Sequence, residues 1–258
     1  MHEAFHKAVD DKATQLYGLI GYPLSHSFSK KYFVEKFERE GFTNCRFENF
    51  PIQSIDELNS LLKEHYTSLK GLAVTIPYKQ QILKFLDSAT EIPPEMKACN
   101  CIKIDKDKLT GYNTDWVGFE KSFVGNLKSH HKKALVLGNG GAALAVCFVL
   151  KKLDIHYEIV SRNIHDGSTL TYTDLTVNIV KEHTVIINTT PLGTFPSVNE
   201  SPLIPYTGIT TRHYLFDLVY NPEKTIFLKK GEEHGATIKN GADMLAIQAE
   251  ENWKIWNS

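Results

Sequence analysis

The sequence predicts an α/β protein, an N-terminal α/β domain followed by a doubly wound one, with a crevice between them. Three observations carry that reading. Short apolar runs alternate with stretches of helical period along the chain. A glycine-rich turn, Gly138-Asn139-Gly140-Gly141, joins one such run to a helix of small residues. The 258 residues, 42% hydrophobic and 23% charged, exceed the roughly 150 of a typical domain and have ordinary globular composition, which allows two modest cores.

Leu16-Tyr17-Gly18-Leu19-Ile20-Gly21 reads as a buried strand stopped by Gly21-Tyr22-Pro23. Residues 27–40 place Phe28, Tyr32, Phe33 and Phe37 on one helical stripe, with Gly41 where a C-terminal cap belongs. Ser54-Ile55-Asp56-Glu57 is a capping box, in which hydroxyl and carboxylate satisfy orphan amides, and it opens a helix carrying Ile55, Leu58, Leu61 and Leu62. Strands follow at 71–75, closed by Pro77, near 100–104 and near 110–112. The pattern changes at Lys132. Residues 134–137 fit a parallel strand buried on both faces, then come a helix over 142–152 and strands at 157–160, 184–188 and 214–219. A helix over 243–256 carries Met244, Leu245, Ile247 and Trp256. The boundary between the domains is expected near 115–118.

A formal charge of −1 gives no general attraction to nucleic acid or to an anionic membrane. The longest apolar run, 142–150, is nine residues, against about 20 for a bilayer span. Met1-His2-Glu3-Ala4-Phe5-His6-Lys7 lacks the basic-then-apolar order of a secretory leader, so a cytoplasmic location is expected. Cys45, Cys99, Cys101 and Cys147 form no C-x-x-C pair, so no zinc knuckle, redox motif or other metal site is expected. Cys99 and Cys101 alternate around Asn100, which on a strand puts both on one face. All four read as buried free thiols.

Within the turn Gly138-Asn139-Gly140-Gly141-Ala142-Ala143, Gly138 allows the tight bend, Gly140 lets backbone amides approach a pyrophosphate, and Ala143 permits close packing of helix on strand. The helix that follows offers unpaired N–H groups to phosphates. A tight strand-to-helix turn alone selects similar residues, but the strand–turn–helix–strand context favours a Rossmann-like dinucleotide site. The next strand ends in Ser161-Arg162-Asn163, without the carboxylate that NAD sites usually carry. Arg162 can pair with a ribose 2′-phosphate and Ser161 and Asn163 can add hydrogen bonds, so NADP is expected as cofactor.

In the first domain, Ser25 and Ser27 precede a helix, where hydroxyls and amides can hold a carboxylate; Ser27 can equally be a simple cap. His26 adjoins both serines, but adjacent residues rarely face each other as nucleophile and base. Val74-Thr75-Ile76-Pro77-Tyr78-Lys79 delivers Lys79 after a rigid proline, and Asn113-Thr114-Asp115 ends at the expected crevice. A lysine beside an aspartate can relay a proton to a carbonyl that receives a hydride, or can be a structural ion pair.

Taken together, these segments resemble the shikimate dehydrogenase family from about Tyr17 to Gln248. The resemblance rests on Gly21-Tyr22-Pro23-Leu24-Ser25-His26-Ser27, the segments 74–79, 113–119 and 138–143, Asn188-Thr189-Thr190-Pro191-Leu192-Gly193, Asp217-Leu218-Val219-Tyr220-Asn221-Pro222, and Asn240-Gly241-Ala242-Asp243-Met244-Leu245 with Gln248-Ala249. It implies reversible NADPH-dependent reduction of 3-dehydroshikimate to shikimate, in aromatic amino-acid biosynthesis. It implies that Ser25 and Ser27 bind the substrate carboxylate, that Thr75, Asn100, Asp115 and Gln248 bind ring hydroxyls, and that Lys79 and Asp115 form the catalytic pair. Tyr220 and Gly241 would line the crevice near substrate and nicotinamide. Gly138, Asn139, Gly140, Gly141, Ala142, Ser161, Arg162, Asn163, Thr189 and Gly241 would surround the cofactor.

The family's last helix packs back on its first domain, which implies a substrate domain of 1–115 plus 238–258 and an NADP domain of 116–237. The expected partner is a small-molecule substrate, and the expected state is a monomer or homodimer. The chain departs from the family pattern at Ala73 (usually Asn), Cys101 (usually Thr) and Thr194 (usually Met). Two alternatives remain: a relative acting on quinate or using NAD, and a dinucleotide-binding sensor without turnover.

Overall fold

The computed structural model describes residues 14–24, 27–106, 108–164 and 167–258. Ser25, His26 and the N-terminal heptapeptide read above lie outside the described residues. The chain starts with β1 (Gln15–Ile20), then α1 (Phe28–Glu40), which ends as expected at Gly41 in the left-handed conformation (φ 73°), with the Phe42 N–H closing on the Phe37 carbonyl at 2.9 Å. An edge strand, β2 (Cys45–Phe50), has no apolar run to announce it. The capping box forms: Glu57 accepts the Ser54 N–H at 2.8 Å and Ser54 Oγ accepts that of Asp56 at 3.2 Å. One 3₁₀ turn then leads into α2 (Leu58–Glu64). Next come β3 (Leu69–Val74), β4 (Ser88–Glu91), β5 (Cys101–Asp105) and β6 (Lys108–Tyr112), which complete a mixed sheet in the order β2-β1-β3-β5-β6-β4.

A helix, α3 (Asp115–Phe123), begins where the domain boundary was expected. Beyond it lie β7 (Lys133–Leu137), α4 (Gly141–Lys152), β8 (His156–Ser161), β9 (Leu170–Thr171), α5 (Val177–Glu182), β10 (Val185–Asn188), β11 (Tyr214–Asp217), α6 (Ile226–Glu233), β12 (Thr237–Lys239) and α7 (Ala242–Trp256). The second sheet is all parallel, in the order β12-β11-β10-β7-β8-β9. Its central strands are buried on both faces, as the unbroken apolar runs require. Strand order reverses between β7 and β10, so a crevice opens at their C-terminal ends, where Gly138 and Thr189 lie.

α7 returns to the first sheet. Trp256 is buried, donates its indole N–H to the Ile102 carbonyl at 3.0 Å and stacks on Tyr17 with ring centroids 5.2 Å apart. Gly71 is glycine because a Cβ there would overlap the Trp256 indole. Ile238 and Lys239, expected to belong to the returning segment, instead pair with Leu215 and Phe216 in the second sheet. The cysteine expectation is also corrected. Cys101 lies in register with Ala73 in the aromatic core under α7, whereas Cys99 precedes β5, is held by an N–H bond to the Lys79 carbonyl (2.7 Å) and packs in the core on the other face. Cys45 is half-buried, on an edge strand, and all four thiols are free. Among the described residues no helix is long and apolar enough to cross a membrane, and no cluster of His, Cys, Asp or Glu could hold a metal.

Two buried histidines fasten the base of the second sheet. His131 accepts the Lys128 N–H at Nδ1 and donates from Nε2 to the Arg212 carbonyl, each at 3.0 Å. His213 accepts the Thr210 N–H at 3.0 Å and donates to the Val180 carbonyl at 2.9 Å. Both bonding patterns require the neutral ring, and burial holds both imidazoles below the usual histidine value. The unfolded chain therefore binds more protons, and stability present above about pH 6.5 is lost as pH falls toward the folded values. Because burial raises the Asp217 carboxyl and acts in the opposite sense over the same range, the thermal midpoint of this chain should fall further between about pH 7 and 5 than that of a His131→Gln, His213→Gln variant, whose side chains do not titrate. An equal pH dependence of the two proteins would contradict this assignment.

Candidate active site

Lys79, Asn100 and Asp115, singled out in the sequence, meet at one end of the first sheet. After β3 the chain turns at 75–78, closed by the Tyr78 N–H on the Thr75 carbonyl (3.0 Å). Tyr78 is buried and donates its hydroxyl to the Ile52 carbonyl at 2.7 Å, so the core anchors the residue just before Lys79. Lys79 Nζ reaches Asp115 Oδ2 at 2.6 Å, and the two side chains keep only 20% and 12% of their surface exposed. Asp115 is the first residue of α3, where the helix dipole favours a carboxylate. Its own N–H is held by Asn113 Oδ1 at 3.0 Å.

Asn100 buttresses the pair. Its amide donates to Asp115 Oδ1 (2.9 Å) and Thr114 Oγ1 (3.0 Å), and lies 3.4 Å from Gln248 Oε1, while its Oδ1 accepts the Thr114 N–H at 2.6 Å. Thr114 in turn donates to Asn252 Oδ1 at 2.6 Å. Gln248 and Asn252 sit one turn apart on α7. That helix comes close because Gly118 faces it: a Cβ there would lie 2.6 Å from the Met244 carbonyl oxygen. The structure thus brings Lys79, Asn100, Asp115 and Gln248 into one network, and adds Asn113, Thr114 and Asn252. In the sequence Asn113 and Thr114 stand out only as part of a motif. Asn252 is not singled out there at all, although a second amide four residues after Gln248 on one helix face is a readable signal.

Ser27 precedes α1 but makes no side-chain cap bond, and its Oγ is buried with no hydrogen-bond partner among the described residues. The simple-cap reading fails, and an orphaned hydroxyl at a helix N-terminus has the chemistry to take a carboxylate. Thr75, half-buried, lies against Gly21, where a Cβ would overlap its methyl group. Ala73 and Cys101 are buried opposite each other in the aromatic core, so these two family departures are packing positions.

From the second sheet, Tyr220 is carried by a segment that Asp217 fixes. The Asp217 carboxylate accepts from Asn188 Nδ2 (2.9 Å), the Val219 N–H (3.0 Å) and Thr225 Oγ1 (2.5 Å), and burial pushes its carboxyl up to about 6. Gly241 lets the start of α7 pass against the Leu218 carbonyl.

The residues read as a dinucleotide cradle fit that role. Gly138 has φ 107°, and a Cβ there would meet Thr189 Oγ1 at 2.8 Å. Asn139, Gly140 and Gly141 are exposed, a Cβ on either glycine would meet nothing within 4 Å, and no side chain caps α4, so its first N–H groups are open to phosphate, except that of Ala143, which closes on the Gly140 carbonyl at 3.0 Å. Arg162 is exposed and lines a cavity of 270 Å³ with Thr171, Tyr172 and Leu192. Two hydroxyls expected to face the cofactor are already engaged: Ser161 donates to the Asn163 carbonyl, and Thr189 to the Leu137 carbonyl at 2.8 Å. Each holds the shape of its loop.

The shikimate dehydrogenase substrate binding domain family matches residues 19–102. The shikimate dehydrogenase (NADP(+)) of Methanococcus maripaludis strain C7 is 35% identical over 263 residues, covering 95% of this chain and 92% of that protein. Among solved structures, a shikimate dehydrogenase in complex with NADP+ superimposes with TM-score 0.80 at 29% identity, over 94% of this chain and 90% of its own. The Thermus thermophilus shikimate 5-dehydrogenase in complex with NADP(H) and shikimate gives 0.81 at 26% identity, over 94% and 93%.

Proposed function

The chain belongs to the shikimate dehydrogenase family, and we infer that it catalyses the reversible, NADPH-dependent reduction of 3-dehydroshikimate to shikimate in the crevice around Lys79. The observation that carries this reading is the Lys79–Asp115 contact of 2.6 Å, braced by Asn100 beside β5 of the first sheet. Bound NADPH supplies hydride to the ring carbonyl carbon. Lys79 gives a proton to the carbonyl oxygen and stabilises the charge developing there, and in the reverse direction takes it back. Asp115 holds the ammonium in place and Asn100 keeps the carboxylate oriented. Thr75, Asn100, Asp115 and Gln248 bind ring hydroxyls, Ser25 and Ser27 receive the carboxylate, and Tyr220 closes the wall.

The 138–142 turn, with Gly241 and Thr189 beside it, holds the dinucleotide. Ser161 and Asn163 shape the loop from which Arg162 pairs with the 2′-phosphate. We assign the first sheet with α7 to the substrate and the second sheet to NADP. A cytoplasmic enzyme, monomeric or a homodimer, is consistent with four free thiols.

Steady-state rates on shikimate and quinate, each with NADP and NAD, test the reading. Shikimate with NADP should be the fastest pair, and quinate with NAD outrunning it would replace this function. Arg162→Ala should raise KM for NADPH roughly tenfold or more, the loss of a charge-assisted contact, while leaving KM for NADH nearly unchanged. Equal effects on both cofactors would remove Arg162 from phosphate recognition.

A further inference from the structure

We propose that Phe28 is a positioning residue that sets Tyr220 over the substrate by an aromatic contact across the crevice. Phe28 is the first residue of α1, directly after Ser27, whose orphaned hydroxyl marks the carboxylate end of the site. Its ring meets that of Tyr220 edge-on, with centroids 5.7 Å apart and planes at 74°. Tyr220 belongs to the segment after β11, so the contact joins a helix of the first sheet to a loop of the second.

The Phe28 ring is itself held from behind. One turn along α1, Tyr32 stacks on it at 5.4 Å and 26°. The Tyr32 hydroxyl donates to Glu250 on α7, and Glu250 also takes Lys36, which is 4% exposed and bonded at 2.9 Å to Glu40. α1 and α7 therefore fix Tyr32, Tyr32 fixes Phe28, and Phe28 offers a defined ring edge to Tyr220. Tyr220 has no other ring contact among the described residues, and its hydroxyl makes no bond to another of them, so Phe28 is what orients it. A ring held this way narrows the crevice mouth beside the carboxylate pocket and favours substrate binding in ground and transition states alike.

The proposal rests on the shikimate reading of the crevice, and its test separates the two. With shikimate and NADP, Phe28→Ala should raise KM for shikimate about 3- to 10-fold, the span of one lost edge-to-face contact, while kcat moves less than about twofold. Phe28→Tyr, which keeps the ring, should restore KM. Tyr220→Ala should raise KM similarly, and the double variant should go no further than the larger single effect. A crystal structure of the Phe28→Ala protein should show the Tyr220 ring displaced from its present position. An unchanged KM, effects that multiply in the double variant, or a Tyr220 ring that stays in place would overturn the proposal. A wild-type chain that does not turn over shikimate would instead overturn the functional reading, and the crystal structure would still judge the Phe28–Tyr220 contact.

Discussion

Lys79→Ala lowers kcat by about 10²-fold or more, with a much smaller change in KM for shikimate. The expected size follows from what the variant removes. Lys79 is the cation beside Asp115, and its side chain is largely shielded from solvent. Without it the carbonyl oxygen has no positioned proton donor, and the Asp115 carboxylate is left near the place where negative charge develops. Asn100 still holds Asp115 from the other side, so the pocket itself should persist and binding should suffer little. Initial-rate measurements at saturating NADP check this, with circular dichroism confirming that the variant is folded. A kcat near that of the wild type would take the proton-transfer role away from Lys79.

Trp256→Ala destabilises the protein by about 3–5 kcal/mol, the usual range for removing a fully packed aromatic side chain. Trp256 fills the space above Gly71, stacks on Tyr17, lies 5.3 Å from the Phe33 ring and satisfies the Ile102 carbonyl. Its loss leaves a cavity and an unpaired backbone acceptor where α7 seats on the first sheet. Because α7 also carries Gln248 and Asn252, activity should fall at temperatures where the global fold is still intact. Urea unfolding monitored by far-ultraviolet circular dichroism measures the loss. A decrease below about 1 kcal/mol would show that α7 is held mainly elsewhere.

Much of the site is legible in the sequence because its residues lie just past strand ends, where core packing does not explain polar or strained choices. Lys79 after Pro77, Asp115 opening α3 and the glycines at 138–141 all follow this rule. What stays hidden depends on tertiary contact. Thr114 and Asn252 meet because α3 and α7 cross at Gly118, a contact that sequence spacing does not state even though Asn252 shares a helix face with Gln248. The short or outer strands β2, β4, β9 and β12 lack apolar runs because one edge or face meets solvent, so periodicity gives no signal. The expectation that Cys99 and Cys101 share a face fails because it starts the strand too early: the ladder begins at Cys101, and the backbone at Cys99 is tied to Lys79 instead. Ser161 and Thr189 are expected from sequence to face the cofactor; in the structure the Ser161 hydroxyl bonds the Asn163 carbonyl within its own turn, and that of Thr189 bonds the Leu137 carbonyl at the end of the neighbouring strand β7.

The most direct test of the account is nicotinamide absorbance during oxidation of shikimate by the purified protein, run in parallel with NADP and NAD. Rapid growth of the reduced-cofactor band with NADP, and much slower growth with NAD, is the result expected from the Lys79–Asp115 crevice and the Arg162 loop. No absorbance change with shikimate and either cofactor would contradict the assignment of that crevice to this reaction.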